Sequence, residues 1–142
     1  MSGDGLAAGL SRRHLLAGAW VVAAVATAGS LNYQYGLGLF PCELCWFQRI
    51  LMYPLVVVLG YAALVDQRDA HRLILPLSVP GIGVAAYHSY LQTTPTLECS
   101  FAGCGRVQFR LFDVLTIPNQ ALIGFLAITV VGAAVWVRSR RV

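Results

Sequence analysis

Residues 41–65 read Pro41-Cys42-Glu43-Leu44-Cys45-Trp46-Phe47-Gln48-Arg49-Ile50-Leu51-Met52-Tyr53-Pro54 and continue Leu55-Val56-Val57-Val58-Leu59-Gly60-Tyr61-Ala62-Ala63-Leu64-Val65. Two cysteines with two residues between them stand at the polar edge of an apolar run of about twenty residues, the length a helix needs to cross hydrocarbon. Side chains capable of redox chemistry are thereby joined to a membrane.

Three further apolar runs of similar length, 15–31, 73–91 and 121–137, accompany the run at 46–65. Lipid offers no partner to backbone N–H and C=O groups, and too little chain remains for a closed barrel, so each run reads as a helix. The expected fold is an all-α membrane protein, one integral domain over 1–142, built as a bundle of four transmembrane helices with external loops 32–45 and 92–120. Composition agrees: 58% of 142 residues are hydrophobic and 11% charged, more apolar surface than a soluble domain of this size can hide. Pro54, Pro76, Pro80 and Gly81 fall inside the runs, where membrane helices tolerate them, and kinks are expected in the second and third helices. The net charge of +4 comes from ten basic residues, all arginine, clustered beside apolar runs rather than interleaved with aromatics. That pattern excludes a nucleic-acid-binding surface.

Arginine placement sets the orientation. Arg12, Arg13, Arg68, Arg72, Arg138, Arg140 and Arg141 fall on one side, and Arg49, Arg106 and Arg110 on the other. By the positive-inside rule both termini are cytoplasmic, which turns both cysteine pairs to the exterior, where disulfides persist. The short charged segment 66–72 makes the second and third helices antiparallel neighbours. A competing reading attaches to the first run: Ser11-Arg12-Arg13-His14-Leu15-Leu16 looks like a twin-arginine export signal and Ala26-Thr27-Ala28 like a cleavage site. The run is longer than most signal cores and continues to Leu31, so it is expected to stay as the first helix.

The remaining two cysteines lie in Glu98-Cys99-Ser100-Phe101-Ala102-Gly103-Cys104-Gly105, whose glycines allow a tight turn. Beyond them Val107, Phe109, Leu111, Phe112, Val114 and Leu115 are interspersed with polar residues. Two arrangements suit this pattern, a segment lying along the membrane surface and a loop packed on the bundle.

A dithiol at a helix start has one sulfur near unsatisfied N–H groups and the positive end of the helix dipole, which favours the thiolate that exchanges disulfides. With a helix beginning near Pro41, Cys42, Cys45 and Arg49 occupy i, i+3 and i+7, one stripe. There Arg49 either stabilises a thiolate or a reduced anionic acceptor, or it snorkels to lipid headgroups. Two close pairs on one face suggest a relay that passes electrons through a mixed disulfide. Structural staples and a four-cysteine zinc site are the other readings, the latter disfavoured on an oxidising face. No metal site is expected, and Trp46 in place of a histidine after Cys45 rules out covalent haem.

The run Pro41 to Pro54 resembles the signature of the DsbB family of membrane disulfide-formation proteins, and most closely its BdbC branch. Tyr87-His88-Ser89-Tyr90-Leu91-Gln92, the Cys99 and Cys104 pair and Ile117-Pro118-Asn119-Gln120-Ala121-Leu122 extend the likeness over nearly the whole chain. The resemblance implies a thiol-disulfide oxidoreductase that reoxidises a soluble thioredoxin-like thiol oxidase and passes the electrons to a membrane quinone, ubiquinone or menaquinone. It further implies that Cys99 and Cys104 face the soluble partner, that Cys42 and Cys45 lie beside the quinone, and that Arg49 and His88 contact the quinone. The short spacing of Cys99 and Cys104 follows the BdbC branch; enterobacterial members space this pair more widely, which leaves the order of attack open. Two rivals are a vitamin K epoxide reductase-like enzyme, whose quinone-side pair lies near the last helix rather than opening the second, and a tetraspan scaffold braced by structural disulfides.

Overall fold

The computed structural model describes residues 2–94, 107 and 109–141, with the backbone alone for 2–11. The chain is helical almost throughout: α1 (Ser2–Leu31), a π-helical turn (Asn32–Gly36), α2 (Glu43–Val65), α3 (His71–Thr93), a two-residue hairpin of β1 (Arg110–Leu111) and β2 (Leu115–Thr116), and α4 (Ile117–Arg141). Each helix packs on its neighbour in sequence, and α4 returns against α1 to close the ring. The short turn after α2 enforces the antiparallel pairing of α2 and α3.

All four apolar runs lie inside helices, but every helix extends beyond its run. α2 starts at Glu43 rather than 46, because the Cys42 side chain caps it. α4 starts at Ile117, with Pro118 in the first turn, where a missing N–H costs nothing. α2 and α3 run unbroken through Pro54, Pro76 and Pro80.

Along α2 the residues Gln48, Met52, Leu55, Leu59 and Ala62 are buried, a stripe at helical spacing that meets Leu16, Ala19 and Ala23 of α1 and Phe125 and Ile128 of α4. The opposite faces carry Val57, Leu64 and Val130 fully outward. A bundle apolar outside as well as inside is built for lipid. Among the described residues three helices are long and apolar enough to cross a membrane: Arg12–Gly36, Glu43–Val65 and Ile117–Arg141. The expectation of four spans is therefore met by three. α3 equals α2 in length, but prolines, glycines and polar side chains dilute it. Ser78 and His88, two of those polar residues, are buried against the other helices rather than turned to lipid. Gly81 lies so close to α4 that a Cβ there would meet the Phe125 ring at 2.3 Å.

At the arginine-rich end α1 is fastened to α2. Arg12 Nε donates to Asp66 Oδ1 at 2.9 Å and its Nη2 to Oδ2 at 2.6 Å. Arg13 donates to the carbonyls of Ala63 and Leu64 at 3.0 and 2.9 Å, two of the acceptors that the end of α2 leaves unused. Asp66 itself terminates α2 in the left-handed conformation, φ 52°. Both arginines of the apparent export signal thus serve as the cap of the second helix.

At the other end the segment following the second cysteine pair forms the hairpin, with Arg110 opposite Thr116 and Leu111 opposite Leu115. Phe112 and Asp113, both at positive φ (54° and 60°), make its turn. Thr116 is buried, whereas Phe112 at 86% exposure and Val114 point away from the bundle. Cys99, Cys104 and Arg106 lie outside the described residues.

Candidate functional site

The π-helical turn reverses the chain at the top of α1. Leu37 and Leu39 N–H groups donate back to the carbonyls of Asn32 and Tyr33, and Gly38, at φ 70°, supplies the left-handed step toward α2. Tyr33 then ties this turn to α4: its hydroxyl donates to Gln120 Oε1 at 2.7 Å, and its ring meets Phe109 at 5.1 Å. The chain so anchored delivers Cys42 to the N-terminus of α2.

Cys42 is extended (φ −78°, ψ 174°), and its sulfur accepts the Cys45 N–H at 3.4 Å. The two sulfurs lie 2.9 Å apart, so the pair can pass between dithiol and disulfide with little movement. Being the N-cap, the Cys42 sulfur faces the unsatisfied N–H groups of the first turn, which favour an anion there.

Cys42 has a second neighbour, from α3. His88 Nε2 stands 3.6 Å from Cys42 Sγ, and His88 Nδ1 stands 2.9 Å from Gln48 Nε2. An amide nitrogen only donates, so Nδ1 accepts and the neutral ring carries its proton on Nε2, aimed at the sulfur. His88 is 2% exposed and Gln48 is also buried, which makes this a dry chain of neutral donors ending on Cys42. The donor atoms of Cys42, Cys45 and His88 also fall within 4.8 Å of one another, close enough to hold a soft metal ion, although thiols so held would be withdrawn from disulfide exchange.

Arg49 follows Cys45 by one turn. It is 8% exposed and does not reach outward. Nη1 donates to Gln34 Oε1 of the π-helical turn, Nη2 donates to the Ser30 carbonyl at 3.0 Å, and the guanidinium lies 5.2 Å from the centre of the Trp46 ring. Among the described residues all these partners are neutral. A buried cation without a carboxylate is costly, and in a membrane protein it marks a site for something electron-rich.

Beside it is a cavity of about 530 Å³ between α1, α2 and α4. Cys45, Gln48 and Arg49 form its polar end, and Val22, Met52 and Phe125 belong to its apolar wall. Cys42 and His88 are not among the residues lining it. The structure therefore brings Cys42, Cys45, Arg49 and His88 together but divides them, with Cys45 and Arg49 on the cavity and Cys42 with His88 beside it. Gln34, Gln48 and Ser30 were not singled out from the sequence. For Gln48 a signal existed: a polar residue three positions after Cys45, on the same stripe of an apolar helix.

A model of the disulfide bond formation protein DsbB matches residues 12–135. Disulfide bond formation protein C of Bacillus subtilis is 37% identical over 116 residues, which are 78% of this chain and 84% of that protein. A probable disulfide formation protein of Chlamydia pneumoniae is 36% identical over 121 residues (82% and 88%), and one of Oceanobacillus iheyensis is 40% identical over 119 (78% and 81%). No solved structure matches the chain.

Proposed function

The chain belongs to the DsbB family of disulfide bond formation proteins, and on that footing we propose that this multi-pass membrane oxidoreductase reoxidises a soluble thioredoxin-like thiol oxidase and delivers the electrons to a membrane quinone. The observation that carries the reading is Cys45 and a buried Arg49, without a carboxylate partner among the described residues, at the polar end of one apolar cavity. A quinone headgroup fits that chemistry, since its ring is apolar and flat while its oxygens accept hydrogen bonds. Ubiquinone and menaquinone share these features.

The steps follow from the division of the site. Cys99 and Cys104, in the role the resemblance implies, take two electrons from the partner's dithiol, which becomes a disulfide. They pass these through a mixed disulfide to the Cys42–Cys45 disulfide, which opens to a dithiol. Cys45, on the cavity wall, is the sulfur that gives up the electron pair. Cys42, held by His88, then closes on Cys45 to restore the disulfide. A bound quinone supplies the oxidising power, taking up two electrons and two protons per turn. Arg49 would hold a quinone oxygen with the N–H groups that Gln34 and Ser30 leave over. In this reading all four helices cross the cytoplasmic membrane, with seven arginines and both termini inside and the cysteines outside.

Purified protein mixed with a reduced thioredoxin-like donor and a short-chain quinone tests the reading. Cys45→Ser should abolish thiol-dependent quinone reduction, by at least about a hundredfold, while the protein still inserts. A Cys45→Ser protein that reduces quinone at the wild-type rate would sink the assignment.

A further inference from the structure

Two polar atoms on the cavity wall have no task in the scheme above. Tyr53 and Thr27 both line the cavity, and among the described residues the Tyr53 hydroxyl and Thr27 Oγ1 are buried without a hydrogen-bond partner. An orphaned buried hydroxyl is costly, and of those in this bundle these two share one cavity with Cys45 and Arg49.

Their positions are regular. Tyr53 follows Arg49 by four residues on α2, one turn farther from the cysteines. Thr27 precedes Ser30, whose carbonyl holds Arg49, by three residues on the antiparallel α1. The cavity wall therefore has two polar tiers, Arg49 with Ser30 and then Tyr53 with Thr27, about one helical turn apart along the backbones. Next to these polar groups the wall is apolar, with Val22, Ala26 and Met52. A para-quinone likewise carries two oxygen acceptors, on opposite ends of a flat ring.

We propose that Tyr53 and Thr27 form the subsite for the second quinone oxygen, the one remote from Cys45, with the Tyr53 hydroxyl as principal donor and Thr27 as its companion from the facing helix. The inference rests on the quinone reading above and adds residues that set ring position. Arg49 and the Tyr53 tier hold the ring at both ends, so the carbon next to the near oxygen stays in register with Cys45.

The test is equilibrium binding of a short-chain quinone to purified protein, followed by Trp fluorescence, together with infrared spectra of the bound quinone's two carbonyl stretches. Tyr53→Phe removes one oxygen atom and keeps the ring. It should weaken binding about fivefold to tenfold and return one carbonyl band toward its position in apolar solvent, leaving the other band in place. Thr27→Val should do the same to a smaller extent, and the band left in place should be the one that Arg49→Met moves. Disulfide exchange between the cysteines and the soluble donor, measured without quinone, should not change. A Tyr53→Phe protein with wild-type affinity and both bands unmoved overturns the subsite while the quinone reading stands. If the wild-type protein shows no saturable quinone binding, the quinone reading fails first.

Discussion

Arg12 and Arg49 face each other from opposite ends of the same helix pair, and their surroundings differ in one respect. Arg12 meets a carboxylate: Asp66 takes two of its N–H groups, and the pair closes the end of the bundle. Arg49 is the more deeply buried and, among the described residues, meets only a carboxamide, a backbone carbonyl and an indole ring. A neutralised cation holds structure; a cation left with neutral partners keeps its field for a ligand. The distinction separates the two ends of this molecule by function, and it can be broken by experiment.

The largest effect should come from Arg49→Met. This change removes the charge and keeps an apolar chain of similar reach, so stability should stay within about 1 kcal/mol of wild type, because an uncompensated buried charge contributes little to folding. Quinone affinity should fall roughly tenfold to a hundredfold, the loss expected for a charge-assisted hydrogen bond. Thermal unfolding in one detergent and quinone titration check both halves. A protein that loses stability but binds quinone normally would make Arg49 a structural residue and collapse the comparison.

Asp66→Asn makes the converse test at the other end. It leaves Arg12 half-buried without its counter-charge and should cost about 1–2 kcal/mol, a fall of several degrees in melting temperature. Quinone affinity should be unchanged. α1 supplies Val22, Thr27 and Ser30 to the cavity wall, so a loss of quinone binding in this variant at low temperature would mean that the latch also shapes the site.

These contrasts explain what the sequence made legible. The apolar runs marked the middles of four helices because hydropathy records what touches lipid. It missed the ends, where Cys42 caps α2 and polar residues extend α1 and α4. Cys42, Cys45 and Arg49 were readable as one stripe because helical spacing is local. The pairing of His88 with Cys42 rather than with the cavity was not, since it depends on how α3 packs on α2. The neutral cage around Arg49 was equally hidden, for Gln34 enters it only through the π-helical turn after α1. The hairpin at Phe112 and Asp113 escaped because Phe112 does not advertise a left-handed turn and a single Asp113 is too weak a signal for one. α3 showed the reverse problem: Ser78 and His88 weaken its hydropathy signal although both are turned inward, His88 to the cysteines.

The smallest predicted effect tests whether neutral donors serve the whole cysteine end, not Arg49 alone. Gln48 donates to His88 Nδ1, which fixes the ring proton on Nε2 opposite Cys42. If that proton stabilises the Cys42 thiolate, Gln48→Leu should slow alkylation of Cys42 in a Cys45→Ser background about threefold at neutral pH, because the ring is free to turn its bare nitrogen to the sulfur. His88→Ala should slow it at least as much. Alkylation of Cys45 in a Cys42→Ser background should respond less, since the Gln48–His88 chain ends on Cys42. Unaltered alkylation in Gln48→Leu and His88→Ala together would show that helix capping alone activates the sulfur, and the donor chain would then be packing.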